Sequence, residues 1–477
     1  MTTDHTHRPN ATLTLTVLAL GSTAYALLQS LVAPALPAMQ HSLHTSEASI
    51  SWVLTAYLLA ASIATPILGR LGDMFGKERV LLITLVALAF GTLLAAIASS
   101  VGLLIVARLI QGAGGGIFPL AFGIIRDEFP RERVAGGIGL ISALLGIGGG
   151  LGVVLAGLIV DNLSWHWLFW LPLVAIVIAA FATHRYVPES PIKVPGKVNW
   201  LGAALMSAAL TAILLAVSEG QDWGWTSAKT LGLLAIGLLL VPVWIWSELR
   251  TDAPLVDMKM MRIKGVWTTN LVATMLGVGM YSSFILIPQL VQLPKSTGFG
   301  FGATVTAAGV FLLPCSAMMM VAGSLTGRLE ARFGSKPPLI AGAAFSAVAF
   351  ALLAVEHSSH LGIYVASALL GLGVGFAFAS MANLIVENVR QDQTGVATGM
   401  NTVTRTVGGA IGAVIAATLL SDHVDGKGLP TESGFTLAFW FCAAALVIGL
   451  LAAFAIPNRA RTQRERAEQA DVAAELA

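Results

Sequence analysis

Gly69-Arg70-Leu71-Gly72-Asp73-Met74-Phe75-Gly76 returns 258 residues later as Gly327-Arg328-Leu329-Glu330-Ala331-Arg332-Phe333-Gly334. Each copy closes a long apolar run and opens a polar loop. The offset persists downstream: Gly112-Ala113-Gly114-Gly115-Gly116 matches Gly371-Leu372-Gly373-Val374-Gly375 at 259, and Arg133-Val134-Ala135-Gly136 falls against Asp392-Gln393-Thr394-Gly395. The chain therefore carries two copies of one half, and the apolar runs around these loops decide its fold.

A bilayer core of about 30 Å needs roughly 20 apolar residues in a helix. Fourteen runs meet this requirement, at about 13–38, 50–69, 80–99, 102–125, 134–160, 166–184, 199–218, 229–247, 266–290, 302–327, 338–355, 361–386, 396–420 and 434–456. Spans one to six correspond to spans nine to fourteen, and spans seven and eight fall outside the repeat. The expected fold is an all-α polytopic membrane protein of fourteen transmembrane helices: two six-helix bundles related by pseudo-twofold symmetry, plus an inserted two-helix hairpin. The expected divisions are residues 1–197, 198–264 for the hairpin and linker, 265–458, and a basic tail over 459–477. Parallel repeats of this kind build many secondary transporters, with the substrate site between the halves near the midplane.

Composition agrees with a membrane protein. Of 477 residues, 56% are hydrophobic and 11% charged, against about 25% charged in a soluble domain; mean hydropathy is +0.81. Lys+Arg 27 nearly cancels Asp+Glu 25, which argues against nucleic acid as a partner. Cys315 and Cys442 both sit in apolar runs and offer neither a disulfide framework nor metal-ligand spacing. With cytoplasmic termini, 22 of the 27 basic residues fall on the inner side, against Lys229, Lys295 and Lys427 outside and Arg108 and Arg405 within spans. The positive-inside bias thus predicts a multi-pass protein of the plasma (inner) membrane with both termini cytoplasmic. The first run is too long for a cleavable signal peptide, and only Arg8 precedes it.

These residues resemble the major facilitator superfamily, and within it the fourteen-helix drug:proton antiporter branch. Gly69 to Arg79 is similar to the G-x-L-a-D-r-x-G-r-k signature, and Arg108-Leu109-Ile110-Gln111-Gly112 to R-x-x-q-G. Glu248 to Asp257 resembles the branch's E-r-r and P-L-l-d run, and Asn401 to Gly409 its n-t-x-R-q-l-G-G run. Three positions depart from the pattern. Leu28 stands where the branch carries a first-span acid, Gly152 to Gly157 lacks the proline and one glycine of G-P-x-x-G-G, and His166 replaces an arginine between Trp165 and Trp167.

The resemblance implies that the first loop is a conformational latch between bundles, built from Gly69, Arg70, Asp73, Gly76 and Lys77, with Arg126, Arg131 or Arg133 as partners for Asp73. It also implies a transport or coupling role for Arg108, Gln111 and Arg405. An arginine within hydrocarbon is costly unless it faces protein or water, so both arginines are expected to point inward. The facing spans supply a candidate substrate cavity of Gln29, Trp52, Tyr57, Asn270, Tyr281, Phe284, Asn383 and Asn401, a few polar groups among soft apolar ones. The same amides can instead join helices. The glycine-dense stretches 112–116 and 146–152 complete no phosphate-binding motif and are expected to serve close helix packing.

No carboxylate lies at mid-membrane by this reading; Glu387, the Asp127 and Glu128 pair, Asp161 and His166 remain as candidate proton carriers at span ends. The expected function is secondary active export of amphiphilic drugs or antibiotic-like metabolites by alternating access, coupled to protons. The alternative is a facilitator or antiporter for a smaller metabolite, anionic in view of two intramembrane arginines. No nucleophile, metal cluster or acid pair appears, so neither an enzyme nor a cofactor or metal is expected. The partners are a small-molecule substrate, the lipid bilayer and protons, and the protein is expected to be a monomer.

Overall fold

The structure, a computed structural model, describes residues 11–457 apart from 191–192, 194–196 and 427. The basic tail from Arg459 therefore lies outside the described residues. Seventeen α-helices follow one another among them. In the first half these are α1 (Ala11–Leu31), α2 (Leu36–Ser42), α3 (Glu47–Phe75), α4 (Lys77–Ala96), α5 (Val101–Gln111), α6 (Ile117–Glu128), α7 (Arg131–Asn162) and α8 (Trp167–Tyr186). Next come α9 (Trp200–Trp223), α10 (Ala228–Arg250) and the short α11 (Met258–Met261). The second half holds α12 (Lys264–Gln292), α13 (Val305–Phe333), α14 (Lys336–Val355), α15 (His360–Asn388), α16 (Thr394–Asp422) and α17 (Glu432–Phe454).

Among the described residues thirteen helical segments are long and apolar enough to cross a membrane, where the sequence predicts fourteen. The remaining expected span is α7, a helix of 32 residues, several of whose side chains lie outside the described set. Helices are the expected answer to apolar sequence in lipid, because each satisfies its backbone polar groups internally. Short side chains start several of them: Ser46, Ser100, Ser227, Thr304 and Ser359 each accept the backbone N–H three residues on.

Two helices differ in form from the expected continuous spans. Span one is α1 followed by a 3-10 turn at Ala33–Ala35 and α2, because Pro34 and Pro37 each remove a backbone donor. Span four is α5 and α6 joined by a 3-10 turn at Gly112–Gly116. These glycines press on Ala60, Thr65 and Leu68 of α3 and Tyr25 of α1, the expected close packing. Of the second glycine-dense stretch, Gly148 and Gly152 press on Ala26 and Ser30 of α1; Gly146, Gly149 and Gly150 lie outside the described side chains.

Buried side chains gather in three clusters. One draws mainly on residues between Val17 and Val187, and one on residues between Val272 and Ile456. The third joins Ala203, Met206 and Trp244 of the α9–α10 hairpin to Met260, Ile385 and Met400. Thr55 and Ser218 tie α3 to α9 at 3.0 Å. The Glu248 carboxylate organises the connector beyond α10, accepting from Val256 N and Trp244 Nε1, both at 3.3 Å. Leu239, Phe181 and Val355 are among the apolar side chains left exposed, a surface suited to lipid and costly in water.

Candidate functional site

Gly76 sits at φ +111 and Gly334 at φ +80, backbone that a side chain would strain. These matched glycines end α3 and α13 and turn the chain directly into α4 and α14. The first turn sets Asp73 one helical turn before Lys77, with carboxylate and ammonium 3.5 Å apart and both side chains fully buried. Lys77 Nζ also lies 2.7 Å from Asp127 Oδ2 on α6, which accepts from Ser190 Oγ at 2.5 Å.

Asp73 reaches across to the second half. Its carboxylate accepts Gly395 N at 3.0 and 3.2 Å and Val396 N at 3.2 Å. These are free donors of the first turn of α16, where the helix dipole favours negative charge. The approach is possible because Gly69 lies against Gly395, and a Cβ on either would strike the other's carbonyl. Among the described side chains, Arg126 and Arg133 are thus not the hydrogen-bond partners that Asp73 uses. Arg126 instead donates to Val389 O at 2.9 Å and Arg390 O at 3.2 Å, and also to Thr394 Oγ1. Arg133 is exposed, and the Arg131 side chain lies outside the described residues. Arg70 is half-buried, with its Nε lacking a hydrogen-bond partner. The physical reason is helix-end chemistry: carbonyls left free at the end of α15 attract the guanidinium, and amides left free at the start of α16 attract the carboxylate.

The second copy makes the mirrored contact. Gly327 lies against Gly136, as Gly69 lies against Gly395; each copy's loop glycine meets the other copy's matched glycine. The chemistry differs, because Ala331 occupies the position of Asp73. Glu330, 7% exposed, instead accepts from Asn383 Nδ2 at 2.5 Å, and that nitrogen lies 3.4 Å from Ala135 O on α7. Ser335 donates to Glu387 at 2.7 Å, where the first copy has Lys77 on Asp127. Among the described residues no cation is within ion-pair distance of Glu330. The sequence reading passes over Glu330, although it stands inside the repeated motif one position before Ala331. A carboxylate just inside the end of an apolar run was the available signal.

Between the two large clusters lies a cavity of about 520 Å³, lined by helices of both halves. Four of the expected cavity residues, Gln29, Tyr57, Tyr281 and Phe284, line it. Four do not. Asn401 Nδ2 donates to Asn270 Oδ1 at 2.9 Å and so joins α16 to α12, while Asn383 is engaged by Glu330 and half-buried Trp52 lies off the lining. Residues not predicted for it include Tyr25, Thr65, Met280, Cys315 and Met319. The signal for Tyr25 was helical spacing, four residues before Gln29 and so on the same face of α1. The lining runs from Thr65 and Met319 to Pro34, Gln292 and Ala308. At the Thr65 end, Gly399 packs on Thr65 and Pro66 one turn beyond Gly395, which seals the cavity toward the loop bearing Asp73.

The two arginines take different places. Arg108 is fully buried behind Tyr57, with its Cζ 3.9 Å from the ring centroid. It donates to Val53 O at 3.1 Å and to Gln111 Oε1 at 2.7 Å, and Gln111 donates on to Thr92 at 3.1 Å. Arg405 lines the cavity itself, with Cζ 4.3 Å from the Phe378 centroid. Of the other candidate proton carriers, Asp161 accepts from Thr306 at 3.2 Å and His166 stacks on Trp165. Among the described residues no three His, Cys, Asp or Glu side chains are grouped to hold a metal.

The sequence profile of the Major Facilitator Superfamily matches residues 18–413, and again 326–476. The chain belongs to the major facilitator superfamily. The Tetracenomycin C resistance and export protein of Streptomyces glaucescens is 28% identical over 415 residues, 86% of this chain and 76% of that protein. Multidrug resistance protein Stp of Mycobacterium tuberculosis is 27% identical over 417 residues, with the same two coverages. Multidrug resistance protein 3 of Bacillus subtilis is 26% identical over 381 residues, 79% and 73% of the two chains. Among solved structures, the human organic anion transporter MFSD10 (TETRAN) superposes with a TM-score of 0.66 at 16% identity, covering 93% of this chain and all of that one. That likeness shows the fold alone.

Proposed function

We propose that this protein exports amphiphilic drugs or antibiotic-like metabolites by alternating access, coupled to protons. The observation that carries this reading is the cavity between the two clusters, sealed at one end by contacts between matched glycines of the repeat. Fourteen spans, with α7 as the fifth, form two six-helix bundles related by a pseudo-twofold axis, and the α9–α10 hairpin is an insertion. The positive-inside bias supports a cytoplasmic Asp73 loop and cytoplasmic termini; in that orientation this conformation is closed inward and offers its cavity to the outer side of the plasma membrane. The chain works as a monomer. The names of its relatives support drug or antibiotic export. The cavity favours an amphiphile over a small metabolite, because about 520 Å³ of mostly apolar wall lies within the range of drug-sized sites, roughly 300–1,000 Å³.

In this reading Asp73 and Arg126 are the latch. Opening inward breaks their bonds to the ends of α15 and α16 and frees Gly69 from Gly395. Glu330 is the proton carrier, since its carboxyl is buried at the matched seam with no cation within ion-pair distance among the described residues, and protonation neutralises it there. The test is flux of a drug panel in proteoliposomes with and without an imposed pH gradient. Saturable, gradient-driven flux supports the reading, and absence of saturable flux for every compound removes it.

A further inference from the structure

The cavity carries one sign of charge. Among the described residues Arg405 is the only charged side chain lining it, and its Nε has no hydrogen-bond partner. Arg108 stands directly behind the wall formed by Tyr57, with its Nη2 also unpartnered. Each guanidinium lies over an aromatic ring, Arg108 on Tyr57 and Arg405 on Phe378, an arrangement that steadies a cation without cancelling its charge. Among the described residues no carboxylate lines the cavity. The side chains of 146–147, 149–150 and 153 on α7 lie outside the described residues, but they are Gly, Ile and Val and add no charge. The acids near the halves' contact, Asp73 and Glu330, are engaged at the sealed end by Gly395 and by Asn383.

We propose that the substrate is an amphiphilic aromatic anion, held with its carboxylate, sulfonate or phenolate on Arg405 and its ring system among Tyr25, Tyr57, Tyr281 and Phe284. This deepens the export reading and rests on it. An anion in the cavity gains a charge-assisted hydrogen bond to a guanidinium with a free donor. A lipophilic cation meets like charge in a site of low dielectric, with no acid to pair with. The three tyrosines accept a flat apolar body by ring contact and offer hydroxyls to its polar edge. Met280 and Met319 in the same wall repack around different ring shapes, so the site selects charge sign more strongly than outline.

The test compares two dyes of one xanthene-phenyl framework and opposite charge, fluorescein and tetramethylrhodamine ethyl ester, by counterflow into liposomes containing the full-length protein. Fluorescein is expected to show saturable counterflow, with the rhodamine ester a competitor at least about tenfold weaker. Arg405→Gln is expected to weaken fluorescein about tenfold or more, the loss of one charged hydrogen bond, without weakening the ester, and Arg405→Lys is expected to retain more than Arg405→Gln. Tighter handling of the ester than of fluorescein overturns the proposal while leaving export intact, as does an Arg405→Gln protein that handles fluorescein like wild type. Saturable counterflow of neither dye overturns this proposal, while the export reading falls only if the drug panel shows no saturable flux either. The wild-type preference between the dyes decides the matter if Arg405→Gln fails to fold.

Discussion

At the residue scale, the decisive group is Asp73, because it spends its carboxylate on backbone amides of the opposite half and on Lys77 rather than on an arginine. Asp73→Asn keeps the size and removes the charge, leaving Lys77 with Asp127 alone and offering an NH2 group where acceptors are needed. Hydrogen bonds to a charged group contribute about 1.5–3 kcal/mol each, so the closed form should lose at least about tenfold in population. The expected outcome is faster labelling of a cysteine placed at Thr65 from the loop side, with turnover impaired more than substrate binding. Unchanged labelling would remove Asp73 from the latch. Arg108→Ala makes a different case, since it leaves the Gln111 Oε1 acceptor and the Tyr57 face without their partner inside the protein at a cost of about 1–3 kcal/mol. It should lower the melting temperature of the purified protein and abolish transport while sparing membrane insertion. Wild-type turnover would reduce Arg108 to a packing residue. Asp73 was legible as a candidate from the loop motif, but the backbone it bonds to was not, since Gly395 lies 322 residues away and carries no side chain to announce itself.

At the scale of elements, the two seams between the halves are built unequally. Along α7 and α13 contact runs from Gly136 against Gly327 to Asp161 against Thr306. Along α3 and α16 it is confined to one end, at Gly69 with Gly395 and Gly399 with Pro66, and the residues beyond, such as Leu58 and Thr402, face the cavity. A seam made of backbone against backbone tolerates no Cβ. Gly395→Ala should therefore prevent closure and reduce transport strongly, whereas Gly102→Ala, where nothing lies within 4 Å, should be silent. Equal transport by both variants would show that the contact is dispensable. The helices themselves were legible because lipid leaves apolar sequence few options. Their contacts were only partly legible: the glycines marked close approach, but Asn270, Asn383 and Asn401 read equally as cavity or as glue until the pairing of α12 with α16 was known.

At the scale of the whole molecule, a repeat that is matched in its loop glycines but not in charge closes the two seams with different chemistry. The first copy closes with an ionic cluster of Asp73, Lys77 and Asp127, and the second with carboxyl groups, Glu330 and Glu387, held by Asn383 and Ser335. Glu330→Gln keeps a group of the same size beside Asn383 and can carry no proton. It should abolish uphill transport driven by a pH gradient while leaving substrate counterflow, and gradient-driven accumulation at the wild-type level would exclude Glu330 as the carrier. The sequence alone determined that the chain is helical and membrane-embedded, that it is built twice over, and which family it resembles, because hydropathy, charge asymmetry and an internal repeat are properties of linear order. Only the tertiary structure decided which arginine meets the cavity and which is sealed behind Tyr57, and that Glu330 rather than Ala331 supplies the second copy's polar contact. Those outcomes depend on the rotation of each helix about its own axis and on which helix end faces another. Packing between segments hundreds of residues apart sets both, and uniformly apolar spans carry no local signal for either.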